Sequence, residues 1–147
     1  METKTAAQLV AEAKARISNL TVEQVASQIE TGNVVLVDVR EHGELAEQGA
    51  IAGAVHAPRG MLEFYADPTS PYHRSELDPS ARTIVYCASG GRSALACDLL
   101  GQLGYADVAS LDGGLRAWKA AGRPVVAAER TDHDRGQGAA MREPVRA

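Results

Sequence analysis

Three short apolar runs rich in β-branched residues constrain the fold of this 147-residue chain more than any other feature. They are VVLVDV at 34–39, TIVYC at 83–87 and DVASL at 107–111, and each precedes a glycine-containing turn and a helical pattern. Runs without clean alternation of apolar and polar residues are typical of strands covered on both faces. Because parallel strands need crossover connections, the sequence predicts an α/β fold with a parallel sheet and helices on both faces. A fourth, shorter strand is expected at 54–57.

The remaining segments predict a single domain with an extension at each end. Apolar residues recur at helical spacing in the first segment, which predicts an amphipathic helix within 1–18. A capping-box pattern at Thr21 and Gln24 begins a second helix of about 21–31, within a domain that we assign to 19–128. Segment 59–80 contains three prolines and is expected to be a long, partly ordered loop. Segment 129–147 is polar and aperiodic, so we expect a disordered tail.

Charge and composition exclude several classes of function. Hydrophobic residues make up 45% of the chain and charged residues 23%, as in soluble globular proteins. The net charge of −4 gives no overall attraction for nucleic acid or for an anionic membrane. The sequence has neither the pattern of a signal peptide nor a run long enough for a membrane helix. We therefore expect a cytoplasmic protein without nucleic-acid or membrane partners.

The stretch YCASGGRS at 86–93 is the main candidate site. Its Cys87 ends a predicted strand, and in α/β sheets ligands bind at the carboxyl ends of the strands. Gly90 and Gly91 can turn successive amides inward as an anion-binding nest, and Arg92 and Ser93 then open a helix whose N-terminus favours negative charge. Such surroundings favour the thiolate, the nucleophilic form of cysteine. The alternative is that Cys87 is only a small apolar residue at the end of a buried strand.

Three blocks of sequence, in this order and spacing, resemble those of single-domain rhodaneses, members of the sulfurtransferase family. They are LVDVREHGELAEQGAIAGAVHAP at 36–58, CASGGRSALACDLL at 87–100 and LDGGLRAWKAAGRPV at 111–125. The resemblance implies a rhodanese-like fold in which Cys87 accepts a sulfane sulfur as a persulfide. It implies a small sulfur donor such as thiosulfate, a cyanide or thiol acceptor or a sulfur-accepting protein, and no cofactor or metal. The implied substrate-binding loop comprises Ala88, Ser89, Gly90, Gly91, Arg92 and Ser93.

Two other functions remain open at this point. Cysteine phosphatases and arsenate reductases also use a cysteine, an amide-lined loop and an arginine, but they have five residues between cysteine and arginine. Here four residues separate Cys87 from Arg92, and the smaller ring suits one sulfur atom better than a tetrahedral oxyanion. The third function is a non-catalytic rhodanese-like binding module, which a replaced loop cysteine would favour.

Several other polar residues have more modest interpretations. Asp38 and Arg40 are expected to brace the loop as structural support, and Arg59 is a secondary candidate for substrate binding. We interpret Asp112 as a turn residue and Trp118 as part of the core. We expect His42, His56 and His73 to be surface or framework residues. Cys97 is expected to be an inert, buried cysteine, and the alternative is a redox role.

Overall fold

A computed structural model describes residues 2–128 of the chain. At its centre is a sheet of five strands in the order β1-β5-β4-β2-β3, with every neighbouring pair parallel. The strands are β1 (Ser18–Leu20), β2 (Val35–Asp38), β3 (Val55–His56), β4 (Thr83–Tyr86) and β5 (Val108–Leu111). The predicted parallel α/β fold is therefore confirmed.

Within residues 2–128, six α-helices connect and flank these strands. They are α1 (Ala6–Arg16), α2 (Val22–Thr31), α3 (His42–Gln48), α4 (Leu62–Ala66), α5 (Gly91–Gln102) and α6 (Gly114–Ala120), with a short 3-10 helix at Arg59–Met61. Thr21 and Gln24 form the predicted capping box at the start of α2. Gly32, with φ of 77°, ends that helix in the left-handed conformation that favours glycine.

The core has two layers because successive strand residues point to opposite faces of the sheet. On one face, Val37 and Val85 pack with residues of α4 and α5 such as Leu62 and Leu100. On the other face, Ile84 and its neighbours pack with α2 and α6, including Trp118. Helices thus cover both faces, as predicted, and Trp118 belongs to the core.

The structure differs from the sequence-based expectations at two segments. Residue 18 begins β1, which pairs with β5, so the proposed boundary between 18 and 19 falls within a strand of the sheet. The 59–80 segment begins with the 3-10 helix and α4, because Leu62, Tyr65 and Ala66 recur at helical spacing and are buried. The predicted disordered tail, 129–147, lies outside the described residues.

The fold gathers the candidate site at one edge of the sheet. Asp38 ends β2, Cys87 directly follows β4, and Asp112 directly follows β5. These three strands are neighbours, so their carboxyl ends lie side by side. Across residues 2–128, no helix is both long and apolar enough to cross a membrane.

Candidate active site

The sulfur of Cys87 lies inside the loop that joins β4 to α5. Its Sγ accepts hydrogen bonds from the backbone N–H of Gly90 at 3.1 Å and of Ser93 at 3.4 Å. Gly90 has φ of 110°, which a residue with a side chain rarely adopts and which turns the chain around the sulfur. The loop is therefore a nest of amides that surrounds one sulfur atom.

Ser93 adds a hydroxyl to this nest. Its Oγ lies 3.6 Å from the sulfur of Cys87, and it donates to the carbonyl oxygen of Gly90 at 3.2 Å. A buried partner, the hydroxyl of Ser110 on β5, lies 2.8 Å from the same Oγ. The two serines fix the first turn of α5 against the neighbouring strand.

Burial and hydrogen bonding act in opposite directions on the Cys87 thiol. Burial, the largest single effect, raises its pKa, because the charged thiolate is less well solvated there. The hydrogen bond between Cys87 Sγ and the Ser93 side chain, together with hydrogen bonds from the backbone amides of Ser93, Gly90 and Ser89, outweighs it, so the pKa lies below the ordinary value. The site therefore favours a thiolate.

Helix α6 closes the loop from the other side. The backbone N–H of Leu115 donates to the Cys87 carbonyl oxygen at 2.8 Å, and that of Arg116 donates to the Ala88 carbonyl oxygen at 3.0 Å. A Cβ on Gly114 would lie only 2.6 Å from the Cys87 oxygen. The absence of a side chain at Gly114 thus allows helix and loop to approach each other.

Arg92 lies in an ion pair that the sequence analysis did not predict. Its guanidinium donates to both carboxylate oxygens of Glu44 on α3, at 2.7 and 2.8 Å. The hydrogen bond from Arg92 lowers the pKa of Glu44 to about 2, and the same pair raises the pKa of Arg92. No signal in the sequence pointed to Glu44, because its helix approaches Arg92 only when β2 pairs with β4.

Asp38 and Arg40 form a second ion pair, which is fully buried. The Arg40 guanidinium donates to the two carboxylate oxygens of Asp38 at 3.0 and 2.7 Å, and also to the Gly49 carbonyl oxygen at 2.8 Å. It lies over the ring of Tyr86, the last residue of β4, at 5.6 Å. The pair therefore connects the end of β2 to the strand that directly precedes Cys87.

A scan against protein-family models matches residues 21–121 to the rhodanese-like domain. The chain belongs to the rhodanese family. Its curated relatives include a sulfurtransferase from Allochromatium vinosum, which is 39% identical over 100 residues that cover 68% of this chain and 85% of the relative. Rhodanese-type sulfurtransferase is thus the class of enzyme that sequence similarity supports.

Two solved structures resemble this rhodanese over most of its length. One is a protein of unknown function from Rhodopseudomonas palustris, described as a possible tyrosine phosphatase. It has a TM-score of 0.81 and 36% identity, and the match covers 86% of this chain and 97% of that one. The other is the polysulfide-sulfur transferase homodimer of Wolinella succinogenes, with a TM-score of 0.66, 28% identity and coverage of 84% and 87%.

Two further candidate residues, Arg59 and Cys97, lie outside the loop. Arg59 forms an ion pair with Glu63 at 3.0 Å, and this interaction holds its guanidinium on its own helical segment. Cys97 is buried in α5, where burial raises the pKa of its thiol to about 12. Such a thiol stays protonated at neutral pH and is a poor nucleophile.

The three candidate histidines, His42, His56 and His73, contact backbone carbonyl oxygens or one another. His56 is buried with Nε2 at 2.7 Å from the Arg40 carbonyl oxygen, and His73 Nδ1 lies 2.9 Å from the Tyr65 carbonyl oxygen. The rings of His42 and His56 lie 5.8 Å apart. Among residues 2–128, no group of three or more His, Cys, Asp or Glu side chains is arranged to hold a metal ion.

Proposed function

We propose that this rhodanese moves a sulfane sulfur from thiosulfate or a related donor to a thiophilic acceptor, cyanide or a thiol, through a persulfide on Cys87. The observation that carries the proposal is the amide nest around Cys87 Sγ, with N–H donors from Gly90 at 3.1 Å and Ser93 at 3.4 Å. Amides that stabilise a thiolate also stabilise the negative charge of a persulfide, which is the intermediate that the reaction requires.

In the first half-reaction, the Cys87 thiolate attacks the outer sulfur of thiosulfate. A bond forms between Sγ and that sulfur, the bond to the sulfonate sulfur breaks, and sulfite leaves with the electron pair. Both thiosulfate and sulfite are dianions, so a guanidinium at the end of the loop can hold them by charge-assisted hydrogen bonds. Arg92 has this role in the proposal, with the donor taking the place of the Glu44 carboxylate.

In the second half-reaction, the acceptor attacks the outer sulfur of the persulfide. The bond between this sulfur and Sγ breaks, Sγ keeps the electron pair, and the thiolate of Cys87 is regenerated. Cyanide leaves as thiocyanate. The Gly90 and Ser93 amides, which already donate to Sγ, remain available to the returning thiolate.

Phosphoester hydrolysis is the second candidate, because a similar structure is described as a possible tyrosine phosphatase. Against it, the four residues between Cys87 and Arg92 form a smaller ring than the five of cysteine phosphatases. A non-catalytic binding module is disfavoured because the cysteine and its amides are intact.

The cytoplasm is the compartment that suits this proposal. Cys87 and Cys97 are both free thiols, as is usual for proteins in a reducing environment. The acceptor there would be a small thiol or a sulfur-accepting protein.

The proposal is tested by intact mass. Incubation with thiosulfate should add the mass of one sulfur atom to the wild type, and cyanide should remove it with release of thiocyanate. Cys87→Ser should lose both steps, whereas Cys97→Ser should keep them. Thiocyanate formation at the wild-type rate by Cys87→Ser would rule out Cys87 as the nucleophile.

The choice between the two chemistries has its own test. Efficient hydrolysis of a phosphoester by the wild type, abolished in Cys87→Ser, would favour the phosphatase. We expect the wild type to show little phosphoester hydrolysis. Insertion of one glycine between Gly90 and Gly91 should allow this activity and weaken sulfur transfer.

A further inference from the structure

A cavity of about 330 Å³ opens beside the catalytic loop. Its volume lies at the lower end of the range for small-molecule sites, which begins at roughly 300 Å³. It is more space than a small inorganic anion such as thiosulfate fills. The cavity is lined by residues of the loop, α6, α3 and the segment before α3: Arg40, Glu44, Gln48, Ala88, Arg116 and Lys119.

The charges around the cavity do not cancel. Arg40 is neutralised by Asp38 at 2.7 Å, and Glu44 is neutralised by Arg92 at 2.7 Å. By contrast, no carboxylate within residues 2–128 lies close enough to Arg116 or Lys119 to form an ion pair. Within residues 2–128, these two positive charges therefore have no carboxylate partner at the cavity.

Arg116 and Lys119 are positioned relative to the nucleophile by backbone contacts. They are three residues apart on α6, so their side chains share one face of the helix. The N–H of Arg116 donates to the carbonyl oxygen of Ala88 at 3.0 Å, and Ala88 directly follows Cys87. The two cations and Ala88 consequently border one opening, one residue along the chain from Cys87.

We propose that this cavity binds the sulfur acceptor, and that the acceptor is an organic thiol with one or more carboxylates held by Arg116 and Lys119. The inference rests on the proposed function, because it concerns the second half-reaction. A cavity with two uncompensated cations favours an anionic thiol over a neutral one of similar reactivity.

The step needs no additional reactant. The acceptor thiol releases its proton to solvent, and its thiolate attacks the outer sulfur of the Cys87 persulfide. The bond between that sulfur and Sγ breaks, Sγ keeps the electron pair, and the acceptor leaves as an organic persulfide. Arg116 and Lys119 act by binding the carboxylates and take no part in the bond changes.

The test is the rate at which persulfide-loaded protein is discharged by two thiols, mercaptosuccinate and the neutral 2-mercaptoethanol. Arg116→Gln/Lys119→Gln should lower the ratio of the two second-order rate constants by roughly twofold to thirtyfold, the effect of losing two exposed ion pairs. The matched control is Arg123→Gln, which removes an exposed cation outside the cavity lining and should keep the wild-type ratio. Raising the salt concentration should reduce the wild-type preference.

An unchanged ratio in the double variant, or an equal loss for both thiols, would overturn the inference. Persulfide formation from thiosulfate and its discharge by cyanide are measured on the same samples, so a failure of the proposed function is seen separately. Binding can also be tested without a persulfide. Succinate should shift the amide NMR signals of Arg116 and Lys119 in the unloaded wild type, and absence of any shift at these positions would also contradict the inference.

Discussion

At the scale of single residues, the reactivity of Cys87 depends on whether hydrogen bonds continue to outweigh burial. The Ser93 hydroxyl is the strongest of the groups that lower the pKa of this thiol. Ser93→Ala should therefore raise the pKa of Cys87 and shift its alkylation by iodoacetamide to higher pH. The control is Ser89→Ala, which keeps the backbone amide through which Ser89 acts. Coincident pH profiles for Ser93→Ala and the wild type would contradict this prediction.

The ion pair of Glu44 with Arg92 gives a second prediction at this scale. If the donor anion must take the place of the carboxylate, Glu44→Gln should lower the KM for thiosulfate by about two- to fivefold, the usual range for a partly exposed ion pair. Arg92→Ala should lower the thiosulfate kcat/KM by roughly ten- to a hundredfold. Rapid-mixing measurements of persulfide formation and discharge separate the two steps. A KM raised by Glu44→Gln would mean that Glu44 assists donor binding.

Some features of the site could be predicted from the sequence, and others could not. Cys87 and its glycines are contiguous, so the nest could be inferred from local chemistry. The partner of Arg92 could not, because Glu44 lies 48 positions away and meets it only when β2 and β4 pair. Arg116 and Lys119 were missed for a similar reason. In the sequence they resemble any solvated helix face, and only the fold brings them to the cavity beside Ala88.

At the scale of secondary-structure elements, the close approach of α6 to the loop predicts a stability effect. Gly114 has φ of 60°, and a Cβ there would lie 2.6 Å from Cys87 and Ala88 backbone atoms. Gly114→Ala should cost about 1–3 kcal/mol of unfolding free energy for the clash, in addition to about 1–2 kcal/mol for the left-handed backbone. Urea denaturation measures both, and sulfur transfer should fall because the loop moves.

The control for that prediction is Gly122→Ala. Gly122 has φ of 78° but nothing within 4 Å of the added Cβ, so only the cost of the backbone conformation should appear. Equal destabilisation by the two substitutions would show that the contact between α6 and the loop contributes nothing to stability.

The elements themselves were predictable to different degrees. β2, β4 and β5 carry runs of apolar, β-branched residues that identify strands without tertiary information. β1, with the sequence Ser-Asn-Leu, contains no β-branched residue and is a strand only because it pairs with β5. α4 was obscured by the prolines that follow it, although its buried residues repeat at helical spacing.

At the scale of the whole molecule, His56 and Glu44 should each make stability depend on pH, in separate windows. His56 is buried, and burial, the largest effect, lowers its pKa below 6.5 despite the hydrogen bond to the Arg40 carbonyl oxygen and the nearby Asp38. Because a carbonyl oxygen only accepts, Nε2 carries the proton of a neutral ring. In Glu44, the hydrogen bond from Arg92 lowers the pKa from 4.5 to about 2.

The sign of each effect follows from which state binds more protons. Below pH 6.5 the unfolded chain protonates His56 before the folded one does, so stability should fall as the pH drops from 6.5 through the folded pKa. The contribution of Glu44 is present above pH 4.5 and should be lost as the pH falls towards 2. Urea titrations from pH 8 to pH 3 should show both declines. His56→Gln should reduce only the decline of unfolding free energy that begins below pH 6.5, and Glu44→Gln only the decline below pH 4.5. Each variant is therefore the control for the other. If the unfolding free energy of both variants depended on pH as it does in the wild type, other groups would be responsible for the loss of stability in acid.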